Sequence, residues 1–129
     1  MQDQHLFEYA VIRLVPKVER EEFLNIGVIL LCTPQKFLQC MVTIDSGRIK
    51  TLWAETDLDV VSTHVQSFER ICIGGKDAGP IGQLTLPERF RWLTASRSTM
   101  IQTSKVHPGL CSDAQRTLER LRQEHVANA

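Results

Sequence analysis

Apolar side chains run along residues 7–15 (FEYAVIRLV) on both sides of an extended chain. Phe7, Tyr9, Val11 and Val15 fall on one side and Ala10, Ile12 and Leu14 on the other. Two apolar sides predict a central strand rather than an edge, ended by Pro16, which cannot donate to a ladder. Arg13 is the odd residue of the first side. Residues 17–25 (KVEREEFLN) are charged and predict an exposed turn with one helical turn in it. A buried strand follows over 26–32 (IGVILLC), where Gly27 predicts a bulge or a close backbone approach. Residues 33–35 form a turn, and residues 36–44 alternate cleanly, with Leu38, Cys40, Val42 and Ile44 on one face.

Past a turn at residues 45–48 the period changes. Leu58, Val61, Val65, Phe68 and Cys72 recur at spacings of three and four. That spacing predicts one amphipathic helix over 57–73, capped by Thr56 or Asp57 and ended by Gly74. Residues 74–83 read as a glycine-rich loop, and 86–93 as a short helix with Pro87 in its first turn. Residues 98–106 predict a fourth strand, His107-Pro108-Gly109 a turn, and 113–126 a terminal helix capped by Ser112 or Asp113. The expected class is α+β in a single domain over 1–129. A three-stranded N-terminal meander plus a later strand forms an antiparallel sheet, covered on one face by the amphipathic middle helix and the C-terminal helix.

Charge narrows the functional classes. Fifteen acids balance fifteen bases, so the molecule has no long-range attraction for nucleic acid or an anionic membrane. Any anion site must come from local clustering. The longest apolar run, 26–32, is too short to span a bilayer, and the start lacks a secretory pattern. Cys32, Cys40, Cys72 and Cys111 form no CxxC pair and read as reduced, mostly buried thiols of a cytoplasmic protein. No nucleotide, hydrolase or metal signature is present, the histidines lack ligand spacing, and neither a metal nor a cofactor is predicted.

One segment stands out. No acidic residue occurs from Arg89 to Ser112, while Arg89, Arg91, Arg97 and Lys105 do, with His107 and the hydroxyls of Ser98 and Thr99. Guanidinium forks suit phosphate or carboxylate. The competing and preferred reading pairs these cations with Glu19, Glu21 and Glu22 or with the terminal helix. Cys111, four residues from His107, is read as a buried structural cysteine rather than a nucleophile. The loop GGKDAG (74–79) follows a helix instead of a strand and reads as a connector rather than a phosphate loop. The run Glu19, Glu21, Glu22 is expected to face water. Phe90 and Trp92 lie in a helix expected to be buried, which weakens a nucleic-acid reading.

Residues 9–30 (YAVIRLVPKVEREEFLNIGVIL) and 89–113 (RFRWLTASRSTMIQTSKVHPGLCSD) together resemble the bacterial domain of unknown function 3037 family, and the resemblance runs nearly the whole chain. It implies a small bacterial cytoplasmic protein with no known catalytic residues, and a partner role beside a HipA-like kinase-fold protein. If the two motifs meet, Glu19, Arg20, Glu21, Glu22 and Asn25 would face Arg89, Arg91 and Arg97, as a cleft or as an internal salt-bridge network. The expected function is a non-enzymatic binding or accessory domain. The alternative is a small enzyme or ligand-binding protein that holds a phosphorylated or carboxylated molecule, such as a nucleotide, in the arginine-rich site.

Overall fold

The structure is a computed structural model that describes residues 3–96 and 99–127. Its organising element is β1 (His5–Leu14), which carries partners on both edges. On one side β1 pairs antiparallel with β2 (Leu24–Cys32), and β2 with β3 (Phe37–Val42). On the other side two short strands follow one another along the same edge. β4 (Ile101–Thr103) pairs with Ile12 to Leu14, and β5 (His107–Cys111) with His5 to Tyr9. Ser104 fills the gap between them. Its N–H donates to the Val11 carbonyl at 2.8 Å, and its Oγ accepts the Val11 N–H at 2.9 Å. The meander is therefore as expected, but the later segment supplies two strands. His107-Pro108-Gly109 is strand rather than turn. Proline fits because β5 lies at the sheet edge, and a Cβ at Gly109 would collide with the Phe7 ring.

The helices divide between both faces of the sheet, where one covered face was expected. α1 (Ser46–Leu52), α2 (Leu58–Ile73) and α3 (Leu86–Thr94) cover one face. There Ile49, Val61, Val65, Phe68, Phe90 and Leu93 pack on Ala10, Ile12, Leu14, Ile29 and Leu31. α4 (Ala114–Arg122), extended by a π-helical turn Gln123–Ala127, covers the other. Ala114, Leu118 and Leu121 pack there on Phe7, Val28 and Leu30. A strand apolar on both sides demands cover on both. α1 replaces the turn expected at 45–48: Asp45 caps it by accepting the Arg48 N–H at 3.1 Å. The α2 prediction matches, with Asp57 as its cap and Gly74 after its end. α3 begins with a capping box in which Thr85 and Glu88 exchange hydrogen bonds, and these hold the Glu88 carboxyl below the usual carboxylate range. No helix among the described residues is long and apolar enough to cross a membrane.

Gly27 sits at a bulge. Ile12 pairs with Gly27 while Arg13 pairs with Asn25, so Ile26 is the extra residue. The bulge changes the parity of β2. Leu24 and Ile26 face the same core as Ile29 and Leu31, while Val28, Leu30 and Cys32 face α4. A Cβ at Gly27 would run into the Met41 carbonyl of β3. Gly27→Ala is expected to destabilise the protein by about 1–3 kcal/mol in urea unfolding through overpacking. Gly47→Ala, in α1, meets only Asp45 Oδ1 at 3.6 Å and is expected to stabilise by about 0.4–1 kcal/mol.

Candidate functional site

The cations singled out in the sequence are dispersed or already engaged. Arg89, half-buried on α3, donates from Nη1 to the Leu84 carbonyl at 2.8 Å and from Nη2 to the Cys72 carbonyl at 3.4 Å. It thereby holds the last turn of α2 against the start of α3. Gly74, with φ at 80°, leaves room for it: a Cβ there would lie 2.8 Å from the Arg89 guanidinium carbon. Arg91 makes a two-pronged bond to Glu8 of β1, at 2.9 and 3.1 Å, and this carboxylate raises the Arg91 pKa. Thr99 turns its hydroxyl to the Ile101 carbonyl at 2.7 Å. Arg97 and Ser98 lie outside the described residues.

His107 starts β5, where its ring centroid lies 5.4 Å from that of Tyr9, and His125 lies 5.8 Å from the same ring. Of the acidic segment, Glu19 and Arg20 form an exposed 3-10 turn (Val18–Arg20), and Arg20 pairs with Glu22 at 3.1 Å. Among the described residues no ion pair or hydrogen bond joins this segment to Arg89 or Arg91. Trp92, expected to be buried, is 42% exposed, whereas Phe90 is fully buried.

The structure gathers a different set. Among the described residues, four buried side-chain polar atoms have no partner: Arg13 Nε, Asn25 Oδ1, Arg89 Nε and Arg122 Nε. Arg13 and Asn25 are cross-strand neighbours at the bulge of β1 and β2. Arg122, in the last turn of α4, lines one cleft with Asn25. The cleft has a volume of about 270 Å³, and Arg48 of α1 and Val126 also line it. It opens where the two helix layers meet the end of the sheet. Of the sequence candidates, only Asn25 belongs to it.

Electrostatics favours an anion there. Neither Arg48 nor Arg122 has a carboxylate within ion-pair distance among the described residues. Arg13 stacks on Phe23, with its guanidinium carbon 4.1 Å from the ring centroid. The one carboxylate lining the cleft, Asp45, already accepts a hydrogen bond from the α1 backbone. Asn25 Nδ2 donates to the His125 carbonyl at 3.4 Å, which leaves Oδ1 as a free acceptor. A buried guanidinium N–H without an acceptor costs on the order of 1–3 kcal/mol, so a site-bound oxyanion has a real free energy to recover. A larger polar hollow of about 920 Å³ lies at the start of α4. It is lined by the carboxylates Asp3 and Asp113 as well as by Arg116 and Arg120, Arg120 pairs with Glu124, and among the described residues none of its buried side-chain polar atoms is left unpartnered. Asp113 accepts the Arg116 N–H, and Gln35 both accepts from Ala114 N–H and donates to the Ser112 carbonyl.

The family model described as protein of unknown function (DUF3037) matches residues 9–126. The chain belongs to that family. The DUF3037 match spans every residue lining the Arg48–Arg122 cleft, and Arg13 beside it. No curated protein and no solved structure matches the chain.

The engaged arginines yield a contrast in stability. Arg91→Met removes an exposed ion pair and is expected to cost less than about 1 kcal/mol. Arg89→Met frees two carbonyls at the α2–α3 junction and is expected to cost about 2 kcal/mol. Chemical denaturation of the two variants measures the difference; equal losses would contradict the assignment.

Proposed function

We propose that this DUF3037 protein is a one-domain, non-enzymatic binding module whose cleft takes an anionic group between Arg48 and Arg122. The observation that carries this reading is that two residues lining one cleft, Asn25 and Arg122, each hold an unpartnered buried polar atom, with a third on Arg13, the cross-strand neighbour of Asn25. Guanidinium groups call for carboxylate or phosphate oxygens, and the open Asn25 Oδ1 calls for a hydroxyl or amine donor on the same molecule. The ligand class is therefore a small phosphorylated or carboxylated molecule that also carries a donor group, with nucleotides included.

A second reading, docking on a protein partner, has its own support. Leu6 and Leu110 are directly opposed across β1 and β5, and they are 58% and 65% exposed. Two large side chains exposed together on a sheet face suit a covering partner. The HipA-like kinase-fold protein implied by the family resemblance is the first partner to test.

Thermal unfolding separates these readings. Inorganic phosphate, a nucleoside monophosphate and malonate are titrated into the wild type and into Arg122→Gln, Arg48→Gln and Arg97→Ala. Wild type is expected to gain melting temperature with at least one anion, by an amount equivalent to about 2.7 kcal/mol at a hundred times Kd. Arg122→Gln and Arg48→Gln are expected to lose that gain, and Arg97→Ala to retain it. Loss in Arg97→Ala alone would move the site to the polar segment, and no gain with any anion would leave partner docking.

A further inference from the structure

The four cysteines, scattered in sequence, come together as two neighbouring pairs. Cys32 of β2 and Cys111 of β5 both lie buried in the core beneath α4. Cys40 of β3 and Cys72 of α2 neighbour one another in the opposite core, where Cys40 helps to raise the Cys72 pKa. The second pair differs from the first in access. Both of its thiols line a cavity of about 320 Å³ that also reaches Glu69 and Ile73, and Ile73 is 79% exposed. Cys40 is half-buried, whereas Cys72 is 1% exposed.

We infer that Cys40 and Cys72 form a reactive dithiol that a hydroperoxide oxidises to a disulfide joining β3 to α2. The asymmetry assigns the order of events. Cys40 is the half-buried thiol and Cys72 the enclosed one, so Cys40 meets the oxidant first. The Cys40 sulfur attacks one peroxide oxygen and the O–O bond breaks. This leaves Cys40 as a sulfenic acid and releases one water when the oxidant is hydrogen peroxide. The Cys72 thiol then passes its proton to the sulfenic oxygen as its sulfur attacks the Cys40 sulfur, and the S–O bond breaks to release a second water. Two thiols and one peroxide become one disulfide and two waters. The product ties an edge strand to the longest helix of the fold.

The test is oxidation of the folded full chain with hydrogen peroxide, followed by alkylation under denaturing conditions and intact-mass and peptide analysis. The expected result is two blocked cysteines out of four, a mass lower by two hydrogens before alkylation, and a Cys40–Cys72 linked peptide. Cys72→Ser is expected to form no internal disulfide and to leave a Cys40 sulfenic acid that dimedone traps. Peptide mapping of the wild type alone is decisive should that variant fold poorly. A linked Cys32–Cys111 peptide with Cys40 and Cys72 still alkylated would overturn the inference. So would four alkylated cysteines after oxidation, or Cys40 carried to sulfinic acid without a bond to Cys72.

Discussion

Every layer of this fold depends on keeping β1 fully hydrogen-bonded along both edges. Its inner edge carries the β2 ladder, and its outer edge carries β4, Ser104 and β5 in turn. A buried N–H left without an acceptor is costly, so the late polar segment must lie along β1 rather than fold into a separate loop. Because β1 is apolar on both sides, the helices must then divide, three over one face and α4 over the other. The two-faced architecture follows from one strand's side-chain pattern and the need to pair its backbone.

The candidate site is a by-product of the same constraint. The bulge at Ile26 and Gly27 lets β2 serve both cores, and it brings Asn25 opposite Arg13 at the end of the sheet. α4 closes over that end, and the π-helical turn after it places the His125 carbonyl on Asn25 and Val126 beside Arg122. The polar groups enclosed there are not matched to one another: Arg13, Asn25 and Arg122 each keep a buried atom unpartnered. Of the polar-segment cations, Arg89 also keeps its Nε unpartnered but lies outside the cleft with both terminal nitrogens held by carbonyls, and Arg91 is held by Glu8. Partnered cations stabilise the fold, and buried guanidinium nitrogens without an acceptor mark where a ligand would gain most.

Much of the fold was legible in the sequence, because side-chain period reports local structure directly. The meander, α2 with its cap and end, α3, the terminal helix and the Gly27 bulge were all readable that way. The misreadings have tertiary causes. His107-Pro108-Gly109 has turn composition, but pairing with β1 and the close Phe7 ring make it a strand. Residues 45–48 have turn composition too, and the Asp45 cap makes them a helix start. The site was largely illegible. Asn25 was named for the charged motif rather than for its register with Arg13. Arg122 is one of several charges on an amphipathic helix, and nothing local separates it from Arg116 or Arg120. Arg13 was visible as the odd residue of its strand face, and a charge on an apolar face of a central strand is the signal that could have pointed here.

The most direct measurement is an NMR titration that follows arginine Nε–H resonances as inorganic phosphate is added. An unpartnered buried Nε–H that gains an oxyanion acceptor should shift and become protected from exchange. The account predicts saturable shifts at Arg122 and at Arg13 beside the cleft, with Arg91 and Arg89, whose unpartnered Nε lies outside the cleft, unmoved. Shifts confined to Arg89, Arg91 or Arg97, or no saturable shift at Arg122, would contradict it.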